Sequence, residues 1–176
     1  MIVKWKTLLL AVLVLLPVFY CFGCTQSVSY ETNDAYRHLF LETDDAAAKE
    51  LKNVIIAQID AYNTGDAEGY YALFNMERED LNFNIAQFEA MRQTANLTYT
   101  PESIETAFVN EDNAQALITM TCRGEDKATG EVLYYYRTSM TYTMVHDKAW
   151  VVTLQTPGSE EDLMYTLNET DTASAQ

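Results

Sequence analysis

The chain offers few side chains that could act as an acid, a base or a nucleophile. Its two histidines, His38 and His146, lie in a polar N-terminal segment and in a predicted hairpin turn, where a solvated histidine is the ordinary case. General acid–base catalysis needs a group within hydrogen-bond reach of the substrate. The nearest helical carboxylate is Asp60, on the flank of an apolar stripe, where side chains face solvent by default. Glu105 alternates with apolar residues along a predicted strand, so we expect it to face away from the core.

Cys122 is a different kind of candidate, because a thiolate is a good nucleophile. It shares one face of a predicted strand with Ile118 and Met120. A buried cysteine in such company behaves as a small hydrophobe, and neither histidine has a spacing that pairs with it. We therefore predict a core position for Cys122 and assign no catalytic residue in the chain.

Aromatic side chains are the more promising feature, because the predicted third strand is dense in them. Tyr134, Tyr136 and Tyr142 alternate onto one face of that strand, and Arg137 starts the opposite face. Such a stripe is typical of a core or a dimer surface, since aromatic rings supply the largest buried areas. The functional alternative is a pocket for a small apolar or aromatic ligand, in which Arg137 would bind a carboxylate if it pointed inward. The candidate lining residues are Tyr62, Tyr71, Phe74, Tyr134, Tyr136, Arg137, Tyr142 and Trp150.

The charge of the chain argues against some partners. A formal net charge of −15 repels nucleic acid and anionic lipid headgroups, so we predict no nucleic-acid partner. The acidic residues form short runs beside predicted turns or in the tail, without the spacing of a calcium loop. We predict neither a metal site nor a cofactor. The acidic tail carries an alternative of its own, which is docking on a basic partner.

The N-terminus has the order of an export signal: two lysines, an apolar stretch over residues 8–22, and a small residue before a cysteine. This end resembles the lipobox of bacterial lipoproteins, in which the cysteine receives a diacylglyceryl group before cleavage. Gly23 and Cys24 match that pattern, which implies lipidation at Cys24. Cys21 and Phe22 differ from the usual leucine and small residue, so an uncleaved anchor helix stays open as the alternative.

Hydrophobic periodicity predicts helices first and strands afterwards. Apolar residues recur at three and four residues from Ala47 to Tyr62, and Gly65 can end that helix in the left-handed conformation. Asp66 caps a short second helix, and a third one carries Leu81, Ile85, Phe88 and Met91. Beyond residue 96 the period becomes two, with predicted turns at 110–113, 125–130 and 146–148 and a break at 157–158. The fold class is therefore α+β, with three N-terminal helices and an antiparallel sheet of about four strands.

The junction of the first two predicted helices carries a family resemblance. The run over residues 61–68, AYNTGDAE, followed by Tyr71 and Leu73-Phe74, resembles the corresponding junction of the nuclear transport factor 2-like superfamily. This superfamily includes ketosteroid isomerases, polyketide cyclases and many exported domains without known activity. The resemblance spans about residues 45–156 and implies helices packed in the concave face of a bent sheet, the cone fold, with a conical cavity. It implies no catalysis, since one fold hosts unrelated functions.

These features combine into a domain plan and a function hypothesis. The plan has a signal peptide at 1–23, a lipid-anchored polar tether at 24–44, the α+β domain at 45–156 and an acidic, largely disordered tail at 157–176. The positive-inside rule places the domain on the outer face of the cytoplasmic membrane. We predict a non-catalytic, membrane-tethered domain that binds a small apolar or aromatic ligand or an envelope protein, with a homodimer through the sheet as one form. The alternative is an isomerase-, dehydratase- or cyclase-like enzyme that uses the cavity.

Overall fold

The computed structural model describes residues 29–167 apart from 42, 44 and 75. The predicted signal peptide, Cys24 and residues 168–176 therefore lie outside the described residues. The elements follow one another as a 3-10 helix, Arg37–Phe40, three α-helices and four strands. The order of helices before strands confirms the predicted α+β class.

The three helices begin and end where the sequence supplies caps. Helix α1, Ala46–Thr64, starts at Asp45, whose side chain accepts a hydrogen bond from Ala48 N at 2.9 Å. It ends at Gly65, whose φ of 82° is the left-handed conformation that closes a helix at little steric cost. Helix α2, Ala67–Tyr71, is capped by the Asp66 side chain, and helix α3 covers Arg78–Thr94.

The four strands form one antiparallel meander in the order β1-β2-β3-β4. Their bounds are Ala95–Asn110, Asn113–Asp126, Val132–Asp147 and Ala149–Asp162. Register shifts interrupt every ladder, between Pro101 and Ser103 in β1 and between Thr138 and Met140 in β3, for example. Such irregularities bend a strand and increase its twist, which suits a sheet that wraps around helices.

Alternation along β2 confirms the predicted core face. Ala116, Ile118, Met120 and Cys122 are buried, whereas Leu117 between them is 39% exposed. The inward face packs on α1 through fully buried side chains of that helix, including Leu51, Ile55 and Ile56. A second cluster forms where the end of α1 meets α3 and the start of β1; it contains Tyr62, Ala67, Phe88, Ala95 and Leu97.

Two element boundaries differ from the prediction. The last strand does not end at Pro157-Gly158 but runs on to Asp162, because Pro157 pairs with Met140 across a register shift that accommodates its missing N–H. A one-turn helix follows at 164–167, with Leu163 buried. The third predicted turn is also tighter than expected, since Lys148 alone, at φ 67°, separates β3 from β4. His146 therefore lies in β3 and not in the turn.

The segment before α1 packs on the domain. Leu39 and Phe40 of the 3-10 helix are each 5% exposed and belong to the main core cluster. The Tyr30 and Tyr36 hydroxyls donate to the two carboxylate oxygens of Asp60 at 3.4 and 3.3 Å. The part of the predicted 24–44 tether that starts at Tyr30 is thus built into the fold, because its apolar side chains gain more by burial than by remaining in water.

The junction after α1 is fixed by side chains that bind backbone groups. Arg92 of α3 donates to Tyr62 O at 2.7 Å and to Asn63 O at 2.9 Å, which satisfies carbonyls left over at a helix end. The Asn63 side chain pairs with the β1 backbone in both directions, accepting from Tyr99 N at 2.7 Å and donating to Tyr99 O at 2.8 Å. The Asn63 side chain therefore joins α1 to β1 through a pair of hydrogen bonds to the strand backbone, as a neighbouring strand would.

Replacing Asn63 by alanine should destabilise the domain. The Asn63→Ala change leaves the N–H and C=O of Tyr99 without these partners, and an unsatisfied buried polar group costs about 1–3 kcal/mol. We expect the free energy of unfolding, measured by urea denaturation, to fall by about that amount. Asn96→Ala, at an exposed position on the same strand, serves as the matched control and should change it by less than about 0.5 kcal/mol. Equal losses in the two variants would contradict the role of Asn63.

Candidate functional site

A groove opens to solvent between α2 and the outer edge of β4. It forms because the chain after α2 pairs with the last strand: Val152 N donates to Leu73 O at 2.8 Å, and Phe74 forms a parallel bridge with Val152. The volume of this β4 groove is about 390 Å³. Its lining residues are Tyr70, Tyr71, Phe74, Met76, Asn84, Val152, Thr153, Leu154 and Gln155.

The wall of the β4 groove combines aromatic rings with amide and hydroxyl groups. Tyr71 and Phe74 present rings whose centroids are 6.1 Å apart, and Tyr70 contacts both of them edge-on. Asn84, Thr153 and Gln155 supply the polar groups of the wall, and none of the lining residues is charged. In a chain of net charge −15, an uncharged wall of this kind is suited to a neutral ligand.

The interior of the cone, by contrast, is filled by rings. We call Tyr62, Tyr70, Phe88 and Tyr99 the interior aromatic cluster. Tyr62 stacks on Tyr99 with centroids 4.0 Å apart and planes at 5°, and its edge meets Phe88 at 5.2 Å. Burial raises the pKa of Tyr99 well above its usual range, and the hydrogen bond that its hydroxyl donates to Tyr62 adds to this. These side chains occupy the space in which the resemblance implied a cavity.

The structure separates the eight predicted pocket residues into several environments. Tyr71 and Phe74 line the β4 groove. Tyr62 belongs to the interior aromatic cluster. Tyr134 packs against the second core cluster, which also contains Tyr62. Tyr136 and Tyr142 share the inward face of β3, as predicted, and pack in the main core.

The remaining two predicted residues lie away from the groove. Trp150 is buried at the far end of the sheet, against Phe108 at 5.9 Å and His146 at 5.0 Å between ring centroids. Arg137 lies on the outer face of the sheet and forms ion pairs with Glu102 at 2.8 Å and Glu161 at 2.9 Å. Arg137 therefore does not point inward, so the condition for its binding a ligand carboxylate in the interior is not met.

The candidate acids and bases also have structural partners. Asp60 accepts hydrogen bonds from the N-terminal tyrosines described above, and His38 Nε2 lies 3.2 Å from Pro101 O. Glu105 is exposed, as its alternation predicted. Cys122 is 1% exposed, which confirms the predicted core position. Burial raises the pKa of its thiol to about 11, although a hydrogen bond with Tyr136 opposes part of the rise, so the nucleophilic thiolate is disfavoured.

Gln58 is the residue that the sequence interpretation passed over. It is 2% exposed, and it lies on the buried stripe of α1 between Ile55 and Tyr62. Its Oε1 atom has no hydrogen-bond partner among the described residues. The sequence held a signal for it, because an amide at i+3 from Ile55 and i−4 from Tyr62 interrupts an otherwise apolar helical face.

Two further kinds of feature are absent from the described residues. No group of three or more His, Cys, Asp or Glu side chains in residues 29–167, with the three gaps given above, is arranged to hold a metal ion. No helix within the same part of the chain has the length and apolar character needed to cross a membrane.

Comparison with known proteins supports the fold. No family model and no curated protein matches the chain. The structure is similar to a ketosteroid isomerase-like protein from Erwinia carotovora atroseptica, at 14% identity and a TM-score of 0.50, over 65% of this chain and 98% of that one. It is similar to an uncharacterised protein with a cystatin-like fold from Caulobacter vibrioides, at 13% identity and a TM-score of 0.51, over 75% of this chain and 100% of that one. It is also similar to a protein of unknown function from Mycobacterium tuberculosis, at 13% identity and a TM-score of 0.50, over 66% of this chain and 77% of that one. These likenesses confirm the cone fold expected from the resemblance, and at such identities they show the fold alone.

The buried tyrosines predict loss of stability at alkaline pH. Burial and the neighbouring Asp60 raise the pKa of Tyr36 to about 12 from its model-compound value of 10.0, and burial raises the pKa of Tyr62, Tyr70, Tyr99 and Tyr142. A group whose pKa is raised by folding stabilises the fold fully below its unfolded pKa. That contribution is lost as pH rises through the folded pKa. The free energy of unfolding should therefore fall between about pH 10 and pH 12.

Absorbance at 295 nm and urea denaturation across this range measure the effect. Part of the tyrosine ionisation should coincide with loss of near-ultraviolet circular dichroism. The Tyr36→Phe variant should show a shallower fall, by about one proton per molecule unfolded. A free energy of unfolding that stays constant up to pH 11.5 would show that the phenols ionise without cost in the folded state.

Proposed function

We propose that this chain is an exported lipoprotein whose cone-fold domain binds a small apolar or aromatic ligand in the β4 groove without catalysing a reaction on it. The observation that carries the proposal is the groove itself, about 390 Å³ in volume with aromatic rings and no charged side chain in its wall. This volume lies within the range of about 300–1,000 Å³ found for small-molecule pockets, and polar groups form the larger part of the accessible wall.

The groove provides both contact area and orientation. The Tyr71 and Phe74 rings form its α2 side, where a flat ligand would stack or meet a ring edge. Leu154, 58% exposed, extends the apolar surface on the β4 side. Asn84, whose Nδ2 donates to Asp80 O, and Thr153, whose hydroxyl donates to Thr143 O, also line the groove, and their oxygen atoms can accept a hydrogen bond from a polar substituent. A volume of this size favours a small molecule over a folded envelope protein as the occupant.

The membrane anchor is the second part of the proposal. The sequence pattern that ends at Gly23-Cys24 supports lipidation of Cys24. Because the chain is packed on the domain from Tyr30 onward, six peptide steps would join the anchor to the folded part, or at most about 20 Å when extended. A lipoprotein of this kind would hold its domain close to the membrane surface and present the β4 groove to ligands of the envelope.

Substitution of Leu154 tests the groove. The Leu154→Glu change places a charge in an uncharged wall, and a carboxylate beside an apolar ligand would have to be desolvated. We expect the affinity for N-phenyl-1-naphthylamine, a neutral aromatic fluorophore, to fall by about tenfold or more, equivalent to about 1.4 kcal/mol. Fluorescence titration of the purified residues 24–176 measures it, and circular dichroism checks the fold.

Leu133→Glu provides the matched control for this titration. Leu133 is 51% exposed, similar to Leu154, and lies on β3 away from the groove. Its substitution should leave the affinity for the fluorophore unchanged. If the parent protein does not bind the fluorophore, or if both variants lose affinity equally, binding in the β4 groove is ruled out.

Intact-mass measurement tests the anchor. Protein extracted from bacterial membranes should have the mass of residues 24–176 plus a diacylglyceryl group, and the Cys24→Ala variant should carry no lipid. This result follows because the lipid is attached to the thiol of that residue before the preceding segment is removed. A mass that includes residues 1–23 without lipid would instead support the uncleaved anchor helix.

A further inference from the structure

Gln58 is a buried amide on an otherwise apolar face of α1. Together with Leu51, Ile55 and Tyr62 it forms the stripe of α1 that faces the sheet, and only 2% of its surface is exposed. Buried side-chain polar atoms in folded proteins nearly always have hydrogen-bond partners. The amide of Gln58 has them on one side only.

The Gln58 side chain has two hydrogen-bonding neighbours, Tyr70 O and the Tyr142 hydroxyl. Its Nε2 atom approaches Tyr70 O at 3.5 Å, a long hydrogen bond, and the Gln58 side chain is also hydrogen-bonded to the Tyr142 hydroxyl, which lowers the pKa of that phenol against the larger rise caused by burial. The orientation of the amide follows from Tyr70 O, which can only accept. The Oε1 atom, which can accept two hydrogen bonds, receives none from any described residue.

Gln58 lies beside a residue of the β4 groove wall, which its Nε2 atom contacts. Tyr70, whose carbonyl contacts Gln58, is one of the groove residues. Phe74, another groove residue, packs against Tyr70 at 5.8 Å and against Tyr142 at 6.4 Å between ring centroids. Gln58 and Tyr142 are thus separated from the groove by the two rings, both only partly buried. Contact between a ligand in the groove and the amide requires the Phe74 side chain to rotate aside.

We propose that Gln58 Oε1 is the acceptor that recognises the ligand of the β4 groove, and that this ligand is a neutral aromatic molecule carrying a hydroxyl or N–H donor. This inference rests on the proposed binding function and adds its chemistry. The aromatic body fits between Tyr71 and Phe74, and the donor reaches Gln58 past the Phe74 ring. The hydrogen bond satisfies the one buried acceptor that the folded domain leaves open within the described residues. A ligand without a donor would leave it unsatisfied, and therefore binds less tightly.

Two probes that differ in a single donor test this. 2-Naphthol carries a hydroxyl, and 2-methoxynaphthalene has the same rings with the hydroxyl hydrogen replaced by a methyl group. We expect residues 24–176 to bind 2-naphthol about tenfold more tightly or better, as one hydrogen bond to a buried acceptor gives. Isothermal titration calorimetry at pH 7, where 2-naphthol is neutral, gives both affinities.

The Gln58→Leu variant separates recognition from folding. Leucine fits the apolar stripe and removes the unsatisfied oxygen, but it also removes a partner of Tyr70 O and of the Tyr142 hydroxyl. Circular dichroism and the thermal midpoint therefore establish that the variant is folded. The preference for 2-naphthol over 2-methoxynaphthalene should disappear. Gln87→Leu, at an exposed position on α3, is the matched control and should keep the preference. A folded variant that binds both probes with equal affinity is the result expected if Gln58 accepts a hydrogen bond from the ligand.

The other outcomes overturn the inference. Equal affinities for the two probes in the parent protein would mean that Gln58 does not contact the ligand, while the groove itself would still bind aromatic molecules as proposed. A preference for 2-naphthol that survives in Gln58→Leu would place the acceptor elsewhere in the groove. Absence of binding by either probe in the parent protein would reject the recognition by Gln58, and the Leu154→Glu titration with its own fluorophore then decides separately whether the groove binds ligands.

Discussion

The end of α1 needs hydrogen-bond partners for its last carbonyl groups, and Arg92 of α3 donates to two of them, Tyr62 O and Asn63 O. This contact joins two helices that are far apart in sequence at the point where the chain turns at Gly65. A Cβ atom on Gly65 would lie 3.0 Å from the Arg92 Nε, so the turn needs glycine for its space as well as for its positive φ. With this end of α1 fixed, the Asn63 amide meets the β1 backbone and Tyr62 lies flat on Tyr99.

The stacking of Tyr62 on Tyr99 is the centre of the aromatic packing in the interior. Tyr70 and Phe88 pack against Tyr62 and against each other, and Tyr70 connects this packing with the wall of the β4 groove. Phe74 pairs with Val152 on β4. This bridge holds the chain after α2 beside the β4 residues that line the groove.

The sequence predicted the features that depend on local patterns and missed those that depend on distant contacts. The caps of α1, the turn at Gly65 and the alternation of β2 were predictable, since each depends on neighbouring residues. Alternation also put Arg137 on the face opposite Tyr136, but its ion pairs reach Glu102 on β1, two strands away, and Glu161 on the adjacent β4. The continuation of β4 beyond Pro157 was missed because a register shift, which no local pattern reveals, accommodates the proline.

Two buried polar side chains of α1 show how a structural role differs from a functional one. Lys52 is 8% exposed, but its ammonium donates to Leu39 O at 2.6 Å and to Thr43 Oγ1 at 2.7 Å. Its burial is explained by the N-terminal segment that it holds in place. Gln58, two turns further along, has an acceptor that nothing in the described fold satisfies. Local breaks in an apolar pattern are expected at functional sites. The contacts of the folded chain explain the burial of Lys52, whereas those of Gln58 provide partners for its Nε2 atom and leave its Oε1 atom open.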